Sequence, residues 1–262
     1  MTPHPRKPRT RPGRCSAPPS RTRTRTIICS VTNAHGHSPE DYLEAIYFLV
    51  SPIGEYQPAE GSPANAARVA DMLGVSRAAV GEMLKRLGNE GLLKRDSGRE
   101  LAFTAEGAKR AEQIVRNHRI IERFLTDFLG YSAAGAHEHA DRLGAAFTPD
   151  MVERMNEKLG FPDRCPHGWP ISPDAERAEN ADLVSLSDLA SGDDCEVVRL
   201  VEHDGDLLHW YYAEGYVPGA KLSVTDVQPA AGHLKVQLAG ADEAVDRLIA
   251  EKAAHGLIVR PS

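Results

Sequence analysis

Apolar residues recur at helical spacing through the first two thirds of the chain, whereas they alternate with polar residues in the last third. The segment SPEDYLEAIYFLV (38–50) places its apolar residues on one helical face. Ser38 stands in the N-cap position, and Pro39 suits the first helical turn because no amide donor is needed there. The pattern therefore predicts an amphipathic helix that begins at Pro39.

The next segment has the periodicity of two short helices followed by a hairpin. PANAARVADMLGVSRAAVGEMLKRLGNEGLL (63–93) predicts a helix that ends at Gly74, a tight turn, and a second helix capped by Ser76. NEGLLKRDSGRELAFT (89–104) then alternates apolar and polar residues about a DSG turn. Helix, turn, helix and hairpin together predict a winged helix-turn-helix, which is a DNA-binding unit.

The remaining pattern predicts a helical region and a small β domain. From Thr104 one amphipathic helix of roughly 25 residues runs to Gly130, and shorter helices follow over 135–146 and 149–159. Residues 173–182 have the composition of a linker. Beyond it, CEVVRLVE, AKLSVTDV and HLKVQLAG read as short strands, with one small helix between them. The predicted fold class is mainly α with a small β-barrel-like domain.

The net charge of −6 conceals an uneven distribution. Eight of the 31 Lys and Arg residues precede Glu40, whereas no acidic residue does. The first 36 residues are rich in Pro, Arg, Ser and Thr and lack an apolar period, which predicts a disordered basic tail. Two interpretations of the tail stay open: an arm that binds nucleic acid nonspecifically, or an inert extension.

The composition also indicates the cellular compartment in which the protein is expected. No apolar run approaches the ~20 residues of a membrane span, and the tail lacks the apolar core of a secretory signal. The four cysteines, two of them in the tail, do not form a disulfide framework. We therefore expect a cytoplasmic protein that does not contact a membrane.

Most of the basic residues between Pro63 and Glu100 lie on the second helix of the predicted winged helix and on its wing. These are the elements that would contact DNA phosphates. Small residues on the exposed face of this helix let it enter a major groove. Glu82 can accept a hydrogen bond from cytosine N4, although its carboxylate also repels phosphate. The alternative is a winged helix used only for protein contacts. The predicted DNA-binding residues are Ser76, Arg77, Ala79, Glu82, Lys85, Arg86, Arg95 and Arg99.

Two pairs of metal-ligating residues lie on consecutive predicted helices. His118 and Glu122 are four residues apart, so both reach the same side of one helix, and His137 and Asp141 repeat that spacing. His139 is turned to the opposite side. A single pair of this kind is usually a solvated face. Two such pairs beside a DNA-binding unit favour a metal site.

Several motifs together resemble the diphtheria toxin repressor family of divalent-metal-dependent transcriptional regulators. These are SPEDYLEAIYFL, NHRIIERFLTDFLG, CPHGWPI and VPGAKLSV, which occur in order between residues 38 and 262. The resemblance implies a winged helix, a helical dimerisation region with two metal sites and a C-terminal SH3-like domain. The implied organisation is a disordered tail (1–36), a DNA-binding domain (37–106), a dimerisation and metal-binding domain (107–172), a linker (173–182) and an SH3-like domain (183–262).

The resemblance also implies the ligands of two sites. His118, Glu122 and His137 match the family's ancillary site, to which the SH3-like domain adds a carboxylate and a second oxygen ligand. Glu202 fits the first of these, and Asp204 or Asp206 the second. The neighbouring His203 has the strand parity of a residue that points the other way.

The primary site implied by the resemblance is less complete. Asp41, Glu44, Asp141 and Cys165 match its positions, but the family's last two ligands are here Gly144 and Ala145, which have no ligating side chain. Three interpretations stay open. The ion is held by the ancillary cluster alone, which we favour; or the site is rebuilt from the matching four residues with His139 or His167; or it is vestigial.

The function implied is that of a metal-dependent repressor of metal-transport genes that binds a DNA operator as a homodimer. Carboxylate and imidazole ligands suit Mn²⁺ or Fe²⁺, and Zn²⁺ binds as well in vitro. The alternatives are a metal-independent DNA-binding regulator and a metal-handling enzyme. The chain has no nucleophile motif or Gly-rich phosphate loop, so we expect no enzyme. The predicted dimer face of the long helix comprises Ile114, Ile121, Phe124, Leu125 and Phe128.

Overall fold

The structure is a computed structural model that describes residues 37–50, 64–94, 100–240 and 245–262. The predicted tail (1–36) lies outside the described residues, as do Arg95 and Arg99 at the tip of the predicted wing.

The described residues of the N-terminal domain form three helices, α1 (Pro39–Val50), α2 (Ala66–Leu73) and α3 (Arg77–Asn89). Side chains cap the second and third helices: Asn65 accepts from the first amides of α2, and Ser76 accepts from the amide of Ala79. Gly74 ends α2 in the left-handed conformation, which turns the chain towards α3. The predicted helix-turn-helix is therefore present.

The base of the predicted wing follows α3. Leu93 and Phe103 form an antiparallel bridge, and the amide of Lys94 donates to the carbonyl of Ala102 over 2.8 Å. Apolar side chains of α1, α2 and α3 bury one core with this base. These core residues include Leu43, Ile46, Val69, Val80, Leu87, Leu92 and Leu93.

The middle of the chain is helical. Helix α4 (Ala105–Asp127) is capped by Thr104, and α5 (Ala133–Leu143) by Ser132. After α5 comes a single 3₁₀ turn (Gly144–Ala146), and then α6 (Pro149–Lys158). Leu125 of α4, Ala136 of α5 and Val152 of α6 belong to one buried cluster. Long helix α4 thus connects the DNA-binding domain to this helical layer.

The predicted dimer face of α4 differs from the observed surface. Ile121 and Leu125 are at most 2% exposed because α5 and α6 of the same protomer cover them. Ile114 packs against the core of the DNA-binding domain, and Phe124 is only partly buried. Phe128 is the one residue of the predicted face that is largely exposed, at 53%. The helical periodicity correctly predicted that Ile121 and Leu125 are buried, but it could not show which neighbouring element buries them.

The segment predicted as a linker contains helix α7 (Pro173–Glu179) and a short 3₁₀ turn (Asn180–Asp182). Ser172 caps α7, and Pro173 occupies its first turn. The buried Glu176 accepts a hydrogen bond from Arg119 of α4 at 2.5 Å and another from the hydroxyl of Tyr47 of α1 at 3.2 Å. This segment is therefore folded onto both preceding domains.

Within its described residues, the C-terminal domain forms a six-stranded antiparallel sheet in the order β1-β6-β2-β3-β4-β5. The predicted strands correspond to β2, β3 and β4, and the predicted helix to α8; the sequence pattern did not indicate β1, β5, β6 or α9. Their bounds are β1 (Val184–Ser185), β2 (Asp194–Leu200), α8 (Gly205–Glu214), β3 (Lys221–Gln228), β4 (His233–Leu238), β5 (Arg247–Ala250), α9 (Glu251–His255) and β6 (Leu257–Pro261).

Glu179 at the end of α7 fastens the sheet to the preceding chain. Its carboxylate pairs with Arg164 at 2.5 Å, with Arg199 of β2 at 2.7 Å and with Arg260 of β6 at 3.0 Å. Burial opposes ionisation, but Arg164 and Arg199 lower the pKa of Glu179 to about 2. The depressed pKa means that Glu179 stabilises the fold above its unfolded pKa of about 4.3.

Replacing Glu179 with Gln should lower the free energy of unfolding at pH 7 by about 1–3 kcal/mol, because Arg199 loses its charged partner in a partly screened site. The difference from wild type should shrink as pH falls from about 4.5 towards 2, where wild-type Glu179 itself becomes protonated. Urea unfolding at several pH values measures this. Glu214→Gln, at an exposed pair with Arg247, is the control and should change stability by less than about 1 kcal/mol. A pH-independent loss in Glu179→Gln would contradict the prediction.

Candidate metal centre and DNA-binding face

Helices α4 and α5 bring together three buried side chains with metal-ligating atoms. His118 Nε2 lies 3.0 Å from Glu122 Oε1 and 3.1 Å from His137 Nδ1. His137 Nδ1 lies 2.9 Å from the same carboxylate oxygen. The i and i+4 spacing on α4 aligns the first two, and α5 packs its histidine across them. We call His118, Glu122 and His137 the inner group.

A second group shares Glu122 and adds side chains from two other parts of the chain. Cys165 Sγ donates to Glu202 Oε1 over 3.2 Å, and His167 Nδ1 lies 3.0 Å from that oxygen and 3.4 Å from Glu122 Oε1. All four residues are buried, and their ligating atoms lie within 4.8 Å of one another. We call Glu122, Cys165, His167 and Glu202 the outer group.

Hydrogen bonding presents the correct nitrogen of His167 to the outer group. Its Nε2 lies 2.9 Å from the carbonyl oxygen of Ala133, at the start of α5, to which only a protonated nitrogen can donate. In the neutral imidazole the lone pair is then on Nδ1, the atom that faces Cys165 and both carboxylates. A hydrogen bond of this kind to the second nitrogen is the usual way a metal-binding histidine is oriented.

The turn that carries Cys165 and His167 is held against β2. The carbonyl of His167 accepts from the amide of Leu200, and Trp169 Nε1 donates to the carbonyl of Leu200 over 2.7 Å. Gly168 has φ +90°, and a Cβ there would lie 2.0 Å from the carbonyl oxygen of Val198. Only glycine permits this approach, which sets the position of the two ligands that precede it in the turn.

The two groups are electrostatically coupled through the shared carboxylate. Burial opposes ionisation, but His167 and His118 hold the pKa of Glu122 well below its usual range. Burial likewise opposes charge on His118, yet Glu44 and Glu122 raise its pKa well above the usual range. Burial, with Glu202 nearby, raises the pKa of Cys165 to about 12. Without a metal the centre therefore retains protons. These protons must be released when the side chains bind a cation.

One carboxylate oxygen of the centre has no protein partner. Glu122 has no exposed surface, and among the described residues its Oε2 finds no hydrogen-bond donor. A buried carboxylate oxygen without a partner carries a large desolvation cost. The residues therefore fit a bound cation, which would supply the missing positive charge.

A third, more open group links the centre to the DNA-binding domain. Glu44 Oε1 of α1 lies 3.2 Å from His118 Nδ1, and Asp141 Oδ1 of α5 lies 3.5 Å from the same nitrogen. The side chain of Asp141 is 52% exposed. Gly144 follows in the 3₁₀ turn after α5 and contributes no ligand.

Other residues predicted as ligands lie outside these groups. The carboxylate of Asp41 accepts from the amide of Ser38 at the start of α1. Asp204 caps α8 and pairs with Lys252 at 2.6 Å, and Asp206 is exposed in the first turn of that helix. The ring of His139 lies against Tyr131, 4.5 Å between centroids.

His203 differs from the expectation based on strand parity. Strand β2 ends at Leu200, so the alternation of faces does not extend to this residue. Its ring lies 5.1 Å from that of His137 and 4.6 Å from that of Phe48 in α1, between centroids. His203 therefore bridges the SH3-like domain, the inner group and the DNA-binding domain.

Sequence reasoning gave His167 too little weight. The spacing of Cys165 and His167 about a single proline, followed by Gly168, is a signal of a tight turn that presents two ligands to one side. Helical periodicity could not detect this pair because neither residue lies in a helix.

The predicted DNA-contacting residues of α3 share one solvent-exposed face. Ser76, Arg77, Ala79, Glu82 and Lys85 are all exposed, whereas Val80 and Leu87 point into the core. Arg86 is exposed too and pairs with Glu90 one turn later, at 2.9 Å. A helix with a free basic and small-residue face fits a major groove.

Three family models match the chain in the order of its domains. "Iron dependent repressor, N-terminal DNA binding domain" matches residues 36–100, and "Iron dependent repressor, metal binding and dimerisation domain" matches residues 104–173. "FeoA domain" matches residues 184–253. The iron-dependent repressor IdeR of Mycobacterium leprae is 34% identical over 204 residues, which cover 73% of this chain and 84% of the relative.

The chain belongs to the iron-dependent repressor family. The IdeR protein of Mycobacterium tuberculosis (strain H37Rv) is 32% identical over 74% of this chain and 85% of its own length. A diphtheria toxin repressor, from Corynebacterium diphtheriae, is also similar, with 32% identity over 50% of this chain and 55% of the relative. The family resemblance seen in the sequence is thus confirmed.

Solved structures of this family have the same fold. A manganese-dependent transcriptional repressor in complex with manganese aligns with a TM-score of 0.74 at 26% identity, over 86% of this chain and 100% of that one. The repressor ScaR with bound Cd²⁺ aligns with a TM-score of 0.70 at 26% identity, over 86% and 99%.

The protein is therefore a metal-dependent DNA-binding transcriptional repressor, and its relatives are regulators rather than enzymes. Helices long and apolar enough to cross a membrane do not occur in the described parts of the chain.

Replacing Gly168 with Ala should displace the turn that carries Cys165 and His167, because the new Cβ would collide with the carbonyl oxygen of Val198. We expect Mn²⁺ affinity to fall roughly tenfold or more, and stability by about 1–3 kcal/mol. Titration calorimetry and urea unfolding measure the two effects.

Gly219→Ala is the matched control for this variant. Gly219 has the same φ of +90°, but a Cβ there would meet nothing within 4 Å. It should therefore report backbone strain alone and leave Mn²⁺ affinity unchanged. Equal loss of Mn²⁺ affinity in both variants would show that the contact with Val198 does not position the ligands.

Proposed function

We propose that this repressor responds to Mn²⁺ or Fe²⁺ through the buried centre around Glu122 and controls genes of metal transport. The observation that carries the proposal is the outer group, four buried ligands from α4, the 165–168 turn and the residues after β2. His167 is preoriented by Ala133, and Glu122 Oε2 has no protein partner among the described residues.

The spacing of the ligand atoms suits a divalent ion. Two ligands at about 2.1 Å from one ion and at right angles to each other are about 3.0 Å apart. His167 Nδ1 and Glu202 Oε1 are separated by 3.0 Å, and Cys165 Sγ and Glu202 Oε1 by 3.2 Å. Carboxylate and imidazole donors suit Mn²⁺ and Fe²⁺, while the thiol and the Irving–Williams order make Zn²⁺ a strong competitor in vitro.

When bound, the ion supplies the positive charge that lets buried carboxylates and a thiolate converge. The relatives support its identity: those of Mycobacterium are named iron-dependent repressors, and several similar structures are named manganese-dependent or manganese-activated repressors.

Three contacts connect the centre to α1 of the DNA-binding domain. Glu44 meets His118 of the inner group, and Phe48 meets His203 beside His137. The third contact is indirect. The hydroxyl of Tyr47 in α1 donates to Glu176, and Glu176 also pairs with Arg119, the residue after His118. Fixing the ligands therefore restrains α1 and shifts the population of winged-helix orientations towards the one that fits DNA.

A homodimer would present two recognition helices to the half-sites of one operator. An exposed apolar surface for the second copy occurs where α4 ends: Phe128, Leu129 and Tyr131 are 53%, 57% and 42% exposed. Phe124 stacks behind Phe128 with ring centroids 5.2 Å apart, which gives this surface a rigid base. These residues, rather than the buried part of the predicted face, are the proposed dimer contact.

Replacing His167 with Ala should abolish the dependence of DNA binding on metal. A DNA site is first selected from a random library with the manganese-loaded protein, and its affinity is then measured by fluorescence anisotropy with Mn²⁺ and with chelator. Wild type should bind at least tenfold more tightly with Mn²⁺, and His167→Ala should lose most of this gain because a ligand is missing. His139→Ala, whose ring packs on Tyr131, is the control and should behave as wild type. Wild-type affinity that is unchanged by chelation would instead support a metal-independent regulator.

Replacing Glu44 with Gln should separate metal binding from its effect on DNA. Glu44 is not in the inner or outer group, so Mn²⁺ affinity should stay within about threefold, while the metal-induced gain in DNA affinity should fall severalfold. Glu40→Gln, in an exposed pair with Arg110 between the same two helices, should change neither. If Glu44→Gln keeps the full gain, the contact with His118 does not carry the coupling.

A further inference from the structure

The DNA-binding domain has little positive charge for a protein that must contact phosphates. The segment that matches the DNA-binding family model, residues 36–100, has seven Lys and Arg residues but ten Asp and Glu residues. The excess is larger over residues 37–262, which have 23 basic and 37 acidic residues. DNA carries one negative charge per ~1.7 Å of helix axis, so it repels a body of this charge at long range.

The recognition helix α3 offers few cations to offset this repulsion. Arg77 and Lys85 are exposed on its DNA-binding face, and neither forms an ion pair with a described residue. Arg86 pairs with Glu90 at 2.9 Å, and Glu82 adds an exposed carboxylate to the same helix. Sequence-independent affinity for DNA rises with the number of phosphates that Lys and Arg neutralise. Two such cations on each recognition helix supply only a small part of it.

The segment directly before the domain has the charge that the domain lacks. Residues 1–36, which we call the basic arm, contain eight Lys and Arg residues and no Asp or Glu. Three of the arginines alternate with threonines in SRTRTRT (20–26). Guanidinium groups bind phosphate through paired donors, and hydroxyl groups also donate to phosphate oxygens. We propose that the basic arm binds the phosphates of double-stranded DNA beside the base pairs that α3 contacts.

The basic arm joins the fold at the DNA-binding domain. His37 immediately precedes α1, whose Leu43 shares one core with Val80 and Leu87 of α3. Attachment at this point keeps the arm near any DNA that α3 contacts and raises its effective concentration there. The chain is also long enough. The twelve residues 25–36 span at most about 40 Å, compared with about 34 Å for one turn of DNA.

The acidic body of the protein is the competing partner for the basic arm. DNA is favoured because its phosphates are more densely charged and because many described carboxylates already pair with arginines of the body. Examples are the pairs Arg110–Glu40, Arg116–Glu153, Arg119–Glu176 and Arg177–Glu112. An arm bound to the body would weaken DNA binding, so the two partners predict opposite effects of removing its charge.

Phosphate contacts have two measurable properties. They carry no sequence information, so the basic arm should raise the affinity for every DNA sequence by the same factor. Each contact also adds about 0.9 to the slope of log affinity against log salt concentration, because counterions are released. Four contacts per protomer, half of the eight basic side chains, would contribute about 3.6 to that slope.

Replacing all eight basic residues of the arm with Gln tests the proposal in the full chain. Fluorescence anisotropy at several KCl concentrations measures affinity for a site selected from a random library and for an unrelated duplex. The variant should lose at least roughly tenfold in affinity for both duplexes at low salt, keep the ratio between them, and have a smaller salt slope. The replaced residues are Arg6, Lys7, Arg9, Arg11, Arg14, Arg21, Arg23 and Arg25.

Two controls separate phosphate binding from other effects of the change. A chain whose residues 1–36 are shuffled, with the same composition, should bind as wild type because only the charge matters. A duplex trimmed to the selected site should show a smaller loss than the same site with flanking DNA. The loss on the unrelated duplex should be equal with Mn²⁺ and with chelator, since the arm acts without the metal centre.

Three results would overturn the proposal. Equal affinity and salt slope in wild type and the Gln variant would identify residues 1–36 as an inert extension. Higher affinity in the variant would show that the arm binds the acidic body instead. A loss confined to the selected site would indicate base contacts rather than phosphate contacts. The metal response is measured separately, as the ratio of affinities with Mn²⁺ and with chelator, so these results leave the proposed function unaffected.

Discussion

A carboxylate with no exposed surface lies where four parts of the chain meet. Glu122 on α4 is approached by His137 of α5, by His167 of the turn that follows α6, and through Glu202 by the end of β2. A buried negative charge is stable only beside positive charge. Without a metal, His118 and His167, whose pKa values are raised well above the usual range by the neighbouring carboxylates, provide it, and in the proposed metal-loaded protein a cation would. In the proposed mechanism, the relative position of the helical layer and the SH3-like domain depends on this exchange because each contributes a side chain.

In the proposed mechanism, the surrounding structure transmits that local exchange to the DNA-binding face. Gly168 and Trp169 fix the ligand turn on β2, and Glu179 connects Arg199 and Arg260 of the sheet to Arg164 of the preceding chain. On the other side, Glu44 of α1 contacts His118 of the inner group, and Phe48 of α1 contacts His203, whose ring lies beside that of His137. Because α1 shares one core with the recognition helix α3, a restraint on α1 is a restraint on the DNA-binding face.

Local signals predicted the helical elements well. Gly74, Ser76 and Thr104 lie at the predicted helix ends because capping is decided by neighbouring backbone groups. The spacing of His118 and Glu122 likewise follows from helix geometry alone. His167 and His203 are different, because their place in the site depends on a turn packed against β2 and on where that strand ends.

Tertiary context also explains the less accurate predictions. Ile121 and Leu125 have the periodicity of an interface, but the same protomer buries them. The predicted linker became α7 because Glu176 finds Arg119, a partner 57 residues earlier in the chain. The loss of ligands at Gly144 and Ala145 was visible in the sequence, whereas the outer group that Cys165 and His167 form with Glu122 required the fold.

Anomalous diffraction from crystals grown with manganese would test the role of Glu122 most directly. Data collected on both sides of the manganese absorption edge locate each ion independently of any assumed ligand. We predict an anomalous peak beside the Glu122 carboxylate, among the side chains of the inner and outer groups. Peaks confined to the group of Glu44 and Asp141, with none beside Glu122, would contradict the assignment of the metal-sensing centre.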